Sequence, residues 1–408
     1  MKDHNKKFRI SGWYVPALDK KIFRLVKESG LNHIFLQGAN VGNDCRDVET
    51  IEKYLSLCDL YGLDAYVQRG KHTPISVAVQ NATVFQQYRA FKGYIMYDEP
   101  SACDYDVLNE NVREYYRSEN AKDFFVNLLP SYARGDCILE NYQQYVRKFS
   151  ERILSCDMTG EKWLSFDFYP LIFGEHKNYT LAERWLFDTQ IIASEGKRCG
   201  YRTNAFVQTM PFSTGGTGYG SHERIPSYLD LSLQIYTYLA FGFDSISYFC
   251  VGTPVVDNEF SENHYAMFNR NGETTEIYDS VKRLNKTVSA FTKTYMCYSW
   301  RETYMLGDEQ EECFSFLKTR KPFTPSDKIK NVQTDGNVLF GMFTGNGGEA
   351  FVAVNFGEPS LQRQKTVCVD VKGKKSVTIW QNGKKRLLTG EHLRIKLKAG
   401  EGVFAIIK

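Results

Sequence analysis

GYIMYDEP, residues 93–100, runs through four apolar or aromatic side chains into two adjacent acids and a proline. Side chains alternate across a strand, so regular alternation sends Asp98 and Glu99 to opposite faces. A buried strand that ends in carboxylates fits the C-terminal rim of a (β/α)8 barrel, where the chemistry of that fold is placed. Seven further short runs flank it at 30- to 40-residue spacing: FRISGWYVP (8–16), HIFLQGA (33–39), DAYVQRG (64–70), FFVNLLPS (124–131), WLSFDFYPL (163–171), TNAFVQTMP (203–211) and SISYFCVGTP (245–254). Each is mostly apolar on both faces, as parallel strands covered by helices are.

Helical patterns separate the runs. KKIFRLVKESG (20–30) and DVETIEKYLSLCDLYG (47–62) both stop at Gly; ENYQQYVRKFSERILSC (140–156), SYLDLSLQIYTYLAFG (227–242) and YDSVKRLNKTVSAF (278–291) are also periodic. Eight strands alternating with helices predict an α/β fold of the (β/α)8 TIM-barrel type over residues 1–292. From 293 to 408 the period changes to two, in NVLFGMFTG (337–345), EAFVAVNF (349–356), KTVCVDVK (365–372), SVTIWQNGKK (376–385) and HLRIKLKAGEGVFAII (392–407). Asn-Gly and Gly turns between these runs predict a small antiparallel β-sandwich, with KTRKPFTPSDKIKN (318–331) as an exposed connection.

A chain of 408 residues is long for one ordinary core but fits a barrel with an added domain. The formal charge of +3 is too small to call for nucleic acid or an anionic membrane as partner. No apolar run approaches the ~18 residues of a membrane span. The ten cysteines form no CxxC pair and no His cluster joins them, so neither a zinc site nor any other metal or cofactor is expected. Their scatter suits separate thiols in a reducing, cytoplasmic compartment, and no signal-peptide pattern follows MKDHNKK. Aromatic residues make up 14%, enough to supply flat surfaces for sugar rings as well as core.

Polar residues at the strand ends define the candidate site: Trp13 and Tyr14; Gln37 and Asn40; Gln68, Arg69 and His72; Asp98 and Glu99; Asn127, Ser131 and Tyr132; Asp167 and Tyr169; Gln208 and Thr209; Tyr248 and Thr253. Carboxylates, amides and aromatics without a metal cluster are what glycosidic hydrolysis uses: an acid for the leaving oxygen, a second carboxylate, amides for hydroxyls and rings for stacking. The Gly-rich STGGTGYGSHERIPS (213–227) does not fit a phosphate loop and reads as a lid that carries His222 and Glu223.

GYIMYDEP, LSFDFYPL (164–171), FVQTMP (206–211) and FGFDSISYFCVGTP (241–254) resemble the clan A glycoside hydrolases, nearest the β-galactosidase-like branch and its bacterial relatives. RIPSYLDLSLQ (224–234) and NRNGETTEIYDSVKRLNKTV (269–288) resemble segments that close such barrels. The likeness spans about 8–291 and implies that Glu99 is the acid/base glutamate, although Asp98 precedes it where that family usually has Asn. It implies Gln208 at the place of the strand-7 nucleophile, and an amide cannot ionise. Three readings follow: Asp167 supplies the second carboxylate, as paired acids on strands 4 and 6 do in other barrel glycosidases; Glu223 swings in; or the barrel binds sugar without cleaving it.

On the first reading Glu99 protonates the leaving oxygen, and Asp167 attacks the anomeric carbon or activates water. Gln37, Asn127 and Gln208 hold hydroxyls, Trp13, Tyr132 and Tyr169 stack on the ring, and Tyr14, Asp98 and Glu223 complete the carbohydrate site. Asp98 has a structural alternative, an ion pair with Arg69. The sequence leaves the sugar, the stereochemistry and the oligomeric state open.

Overall fold

The computed structural model describes the chain except residues 1–6, 43, 134, 139–140, 157–159, 174–178, 182–183, 214–223, 308–321 and 346–347. Eight parallel strands, β1 (Arg9–Gly12), β2 (His33–Leu36), β3 (Asp64–Gln68), β4 (Phe91–Asp98), β5 (Asp123–Leu128), β6 (Trp163–Phe166), β7 (Arg202–Gln208) and β8 (Ser245–Phe249), pair in the order β1-β8-β7-β6-β5-β4-β3-β2. The seam between β1 and β2 is closed partly by a side chain. Asn32 accepts from the Ile10 N–H and donates to the Phe8 carbonyl, both at 3.0 Å, and its own N–H donates to the Ile10 carbonyl at 3.0 Å.

Eight helices follow the strands: α1 (Lys20–Glu28), α2 (Val48–Tyr61), α3 (Ile75–Phe85), α4 (Tyr105–Tyr115), α5 (Tyr142–Phe149), α6 (Trp185–Cys199), α7 (Tyr228–Ala240) and α8 (Glu276–Tyr295). Their ends follow local chemistry. Asp19 and Asp47 accept from N–H groups in the first turns of α1 and α2, and Gly62 ends α2 in the left-handed region at φ 63°. The residues 269–288 that resemble a barrel-closing segment do close it. The Tyr278 hydroxyl donates to the Leu25 carbonyl (3.0 Å), and Asn285 donates to the Ser29 carbonyl (2.9 Å) while accepting from Tyr248 (2.6 Å). The last helix is thereby tied to the first βα unit, and Tyr248 is committed to that bond.

A second sheet holds β9 (Ser299–Leu306), β10 (Ile329–Thr334), β11 (Val338–Gly345), β12 (Gly348–Asn355), β13 (Gln364–Gln381), β14 (Lys384–Lys398) and β15 (Gly402–Ile407), ordered β9-β11-β12-β15-β13-β10 with β14 beside β13. The two runs read at 365–372 and 376–385 belong mainly to one strand, β13, whose ladder shifts between Asp370 and Lys375. Its first half pairs with β10 and its second with β15, so the sheet folds over a core of its own that includes Phe340, Phe351, Val369, Ile379 and Val403. Strands β9 and β10 were not foreseen; β10 begins inside the stretch expected as a connection.

Nine described cysteines are free, and no described helix is long and apolar enough to cross a membrane.

Candidate active site

The two acids of GYIMYDEP are aimed by a bulge. Ile95 faces Phe125 inside the barrel, and the β4–β5 register then shifts so that Asp98, not Tyr97, lies beside the inward-facing Asn127. Gly93 begins this approach: at φ 144°, a Cβ there would lie 1.7 Å from the Asp123 carbonyl oxygen, so only glycine lets β4 and β5 come this close. Glu99 is then turned by a left-handed backbone at φ 51°, pinned by its N–H to the Asn127 carbonyl at 2.9 Å. A bulky residue in that region stores strain, a common property of functional sites. Tyr14, across the mouth on the segment after β1, has the same feature at φ 55°, and its ring packs over Gly38.

Asp98 belongs to a polar chain that crosses five strands. Its carboxyl is hydrogen-bonded to the Asn127 side chain. Ser165 donates to Asn127 Oδ1 (3.0 Å), Asn204 to Ser165 Oγ (2.9 Å), and Ser245 and Ser247 to Asn204 Oδ1 (2.7 and 2.9 Å). Asn127, 3% exposed, is spent on this chain; it positions Asp98 and is not the free hydroxyl-binding amide expected. Arg69 does not pair with Asp98 either. Its guanidinium donates to the main-chain carbonyls of Met96, Lys71 and Thr73.

The side chains of Glu99 and Asp167 are hydrogen-bonded to each other. Asp167, on the residue after β6, is 7% exposed, and its Oδ1 is buried without a protein donor. Glu99 reaches solvent but is crowded by protein on most sides. Burial raises all three carboxyls, Glu99 adds to the rise at Asp98, and Glu99 and Asp98 add to the rise at Asp167. Like charges this close cannot all ionise, so the trio holds protons at neutral pH. The contact is also closer than the roughly 5–9.5 Å that sets two carboxylates on opposite faces of a sugar ring.

Asp98 is pushed up to about 8, against about 3.9 in an unfolded chain. The native state therefore binds the proton more tightly. The stabilising contribution is full below about pH 4 and is lost as pH rises toward 8. Asp98→Asn, isosteric and always neutral, is expected to gain melting temperature relative to wild type across that window, with the gain levelling above about pH 8. A difference in melting temperature that ignores pH contradicts this electrostatic account.

The remaining expected residues divide. Gln37 and Gln68 keep the inward parity of Phe35 and Tyr66, and both have a buried side-chain oxygen with no protein donor. Tyr169 packs against Phe212 and Phe249, each at 5.0 Å, and its hydroxyl lies in the field of Asp167 and Glu99. Tyr132, half-buried, sits edge-on to Phe168 at 5.1 Å. Trp13, 3% exposed, is the plug of the barrel, packed on Phe35 (4.8 Å) and Phe206 (5.4 Å), and not an open stacking platform. Gln208 is sealed: it accepts from the Leu171 N–H (3.0 Å) and donates to the Leu171 carbonyl (3.2 Å), so it fastens the end of β7 to the segment after β6 and is not available to hydroxyls. Glu223 and His222 lie outside the described residues, and His72 is exposed.

Two groups gave no sign in the sequence. Tyr145 of α5, read only as part of a helical period, donates to the Pro100 carbonyl (2.7 Å) and accepts from the Leu129 N–H (3.3 Å), clamping the turn after Glu99. Glu259, in the loop after β8, shares its electrostatic surroundings with Glu99 and Tyr14. Among the described residues no group of three His, Cys, Asp or Glu is arranged to hold a metal ion.

No family model matches the chain, and no curated protein matches its sequence. Similar solved structures are glycoside hydrolases. A GH27 β-L-arabinopyranosidase of Geobacillus stearothermophilus superposes with TM-score 0.52 at 7% identity, over 99% of this chain and 97% of that one. A variant of that enzyme, in complex with arabinose, gives TM-score 0.52 at 7% identity, over 99% and 98%. A family 5 glycoside hydrolase of Bacteroides vulgatus gives 0.46 at 10% identity, over 98% and 89%. At these identities the likeness is one of fold: a (β/α)8 barrel followed by a β-sheet domain. It does not single out the β-galactosidase-like branch.

Proposed function

We propose that this protein hydrolyses a glycosidic bond, with Glu99 as the acid that meets the leaving oxygen and Asp167 as the partner that keeps a proton in the pair. The observation that carries this reading is the hydrogen bond between the two carboxyls on the barrel rim. Asp167, more deeply buried and with an oxygen lacking a donor, favours its neutral form; Glu99 is the end that substrate can reach. A proton passed from Glu99 to the glycosidic oxygen is replaced along the existing hydrogen bond. Gln37 and Gln68 offer acceptors to sugar hydroxyls, and Tyr14, Tyr132 and Tyr169 flank the ring. A carbohydrate substrate is consistent with the arabinose bound by a variant of the GH27 neighbour.

Asp167→Asn tests the pairing. Burial holds the proton most firmly on Asp167, so without that carboxyl the last proton of the pair rests on Glu99 alone and is lost at lower pH. The alkaline limb of kcat/KM, which reports the free enzyme's acid, is expected to move to lower pH, with a loss of about 100-fold near pH 7. A limb that stays in place means that Asp167 is only structural.

A further inference from the structure

We propose that Glu259, presented by the loop after β8, is the second catalytic carboxylate and acts as the base that takes a proton from the attacking water. This rests on the glycoside hydrolase reading. Asp167 touches Glu99 directly and therefore lies on the same side of the mouth. In a ring of eight strands β8 stands opposite β4, so a carboxylate on the β8 loop approaches Glu99 from across the opening. The loop is well anchored there. Phe260, 2% exposed, packs on Tyr14 (6.3 Å) and Phe249 (6.2 Å) of the aromatic wall. Asp257 Oδ1 accepts the N–H groups of Glu259 (2.7 Å) and Phe260 (2.8 Å), and the Ser213 N–H, from the segment after β7, donates to the Glu259 carbonyl (2.8 Å).

With its main chain held at both sides, Glu259 reaches solvent as a residue while its carboxyl end is crowded by protein, in the field of Tyr14, Cys250 and Glu99. Burial of its carboxyl group, then Asp257 and Glu99, pushes it up to about 7, near the optimum for a base working at neutral pH. In the step, water oxygen bonds to the anomeric carbon and the glycosidic C–O bond breaks. Glu259 receives the water proton while Glu99 gives its own to the leaving oxygen, and solvent exchange resets both carboxyls.

The test uses the full chain and the 4-nitrophenyl pyranoside that wild type cleaves fastest from a panel. Glu259→Gln is expected to lower kcat by about 100-fold or more with KM little changed. Sodium azide, which needs no base, then restores turnover and gives a glycosyl azide of opposite anomeric configuration. Full activity in Glu259→Gln, beside a Glu99→Gln that no longer cleaves the alkyl glycoside of the same sugar, overturns the role of Glu259 and leaves the hydrolase reading standing. A loss that azide does not rescue also overturns it. No release from any glycoside by wild type overturns both.

Discussion

Glu99→Gln is expected to lower kcat/KM by about 1,000-fold or more for an alkyl glycoside, with the melting temperature held within a few degrees. The substitution keeps the shape and removes only the transferable proton. The loss should depend on the leaving group: large for an alkyl alcohol, which departs only when protonated, and small for a dinitrophenolate, which departs unaided. That contrast separates an acid from a residue that merely shapes the pocket, because a damaged pocket slows both substrates alike. Burial already disfavours the charged form of Glu99, so a neutral glutamine of the same shape is tolerated by the fold. The strain at φ 51° belongs to the backbone and is the same in either variant.

Arg224→Ala should cost about 3–5 kcal/mol of stability. Arg224 is 4% exposed and bridges Asp230, at the start of α7, to Glu358 in the sheet domain, with its shortest contact to Glu358 at 2.6 Å. Its removal leaves two carboxylates facing each other at the junction of barrel and sheet. Burial already pushes the Asp230 carboxyl up, and Arg224, followed by the hydrogen bonds from Ser227, opposes that rise. The loss is therefore greatest above the carboxylate range and shrinks as pH falls below about 4. Arg224→Lys should recover only part of it, since an ammonium cannot reproduce the fork that holds both acids. A melting temperature equal to wild type at pH 7 would show that the junction is held by other contacts.

All eight barrel strands were legible because a strand buried on both faces leaves a continuous apolar run. Helices α3, α4 and α6 gave less contrast; ISVAVQNATVF at 75–85 is too evenly apolar to show a face. Strands β9 and β10 were missed because their apolar residues do not alternate: bulges at Trp300/Glu302 and Ile329/Asn331 break the period of two in SWRETYML and IKNVQT. At the site, rim position could be read but direction could not. A β-bulge aims Asp98, a left-handed residue aims Glu99, and neither leaves a mark in the residue types. Gln208 looked available because its partner is the main chain of Leu171, which carries no side-chain signal. Glu259 sits in a loop without a motif and comes into the electrostatic field of Glu99 only through the closure of the barrel.

The most direct test of the whole account is product release measured beside binding, on one panel of glycosides at pH 6–7, with wild type and Glu99→Gln. The account predicts that wild type frees a reducing sugar from at least one member and that Glu99→Gln binds the same member by calorimetry with little release. Binding by wild type without release, or equal release by both proteins, would contradict it.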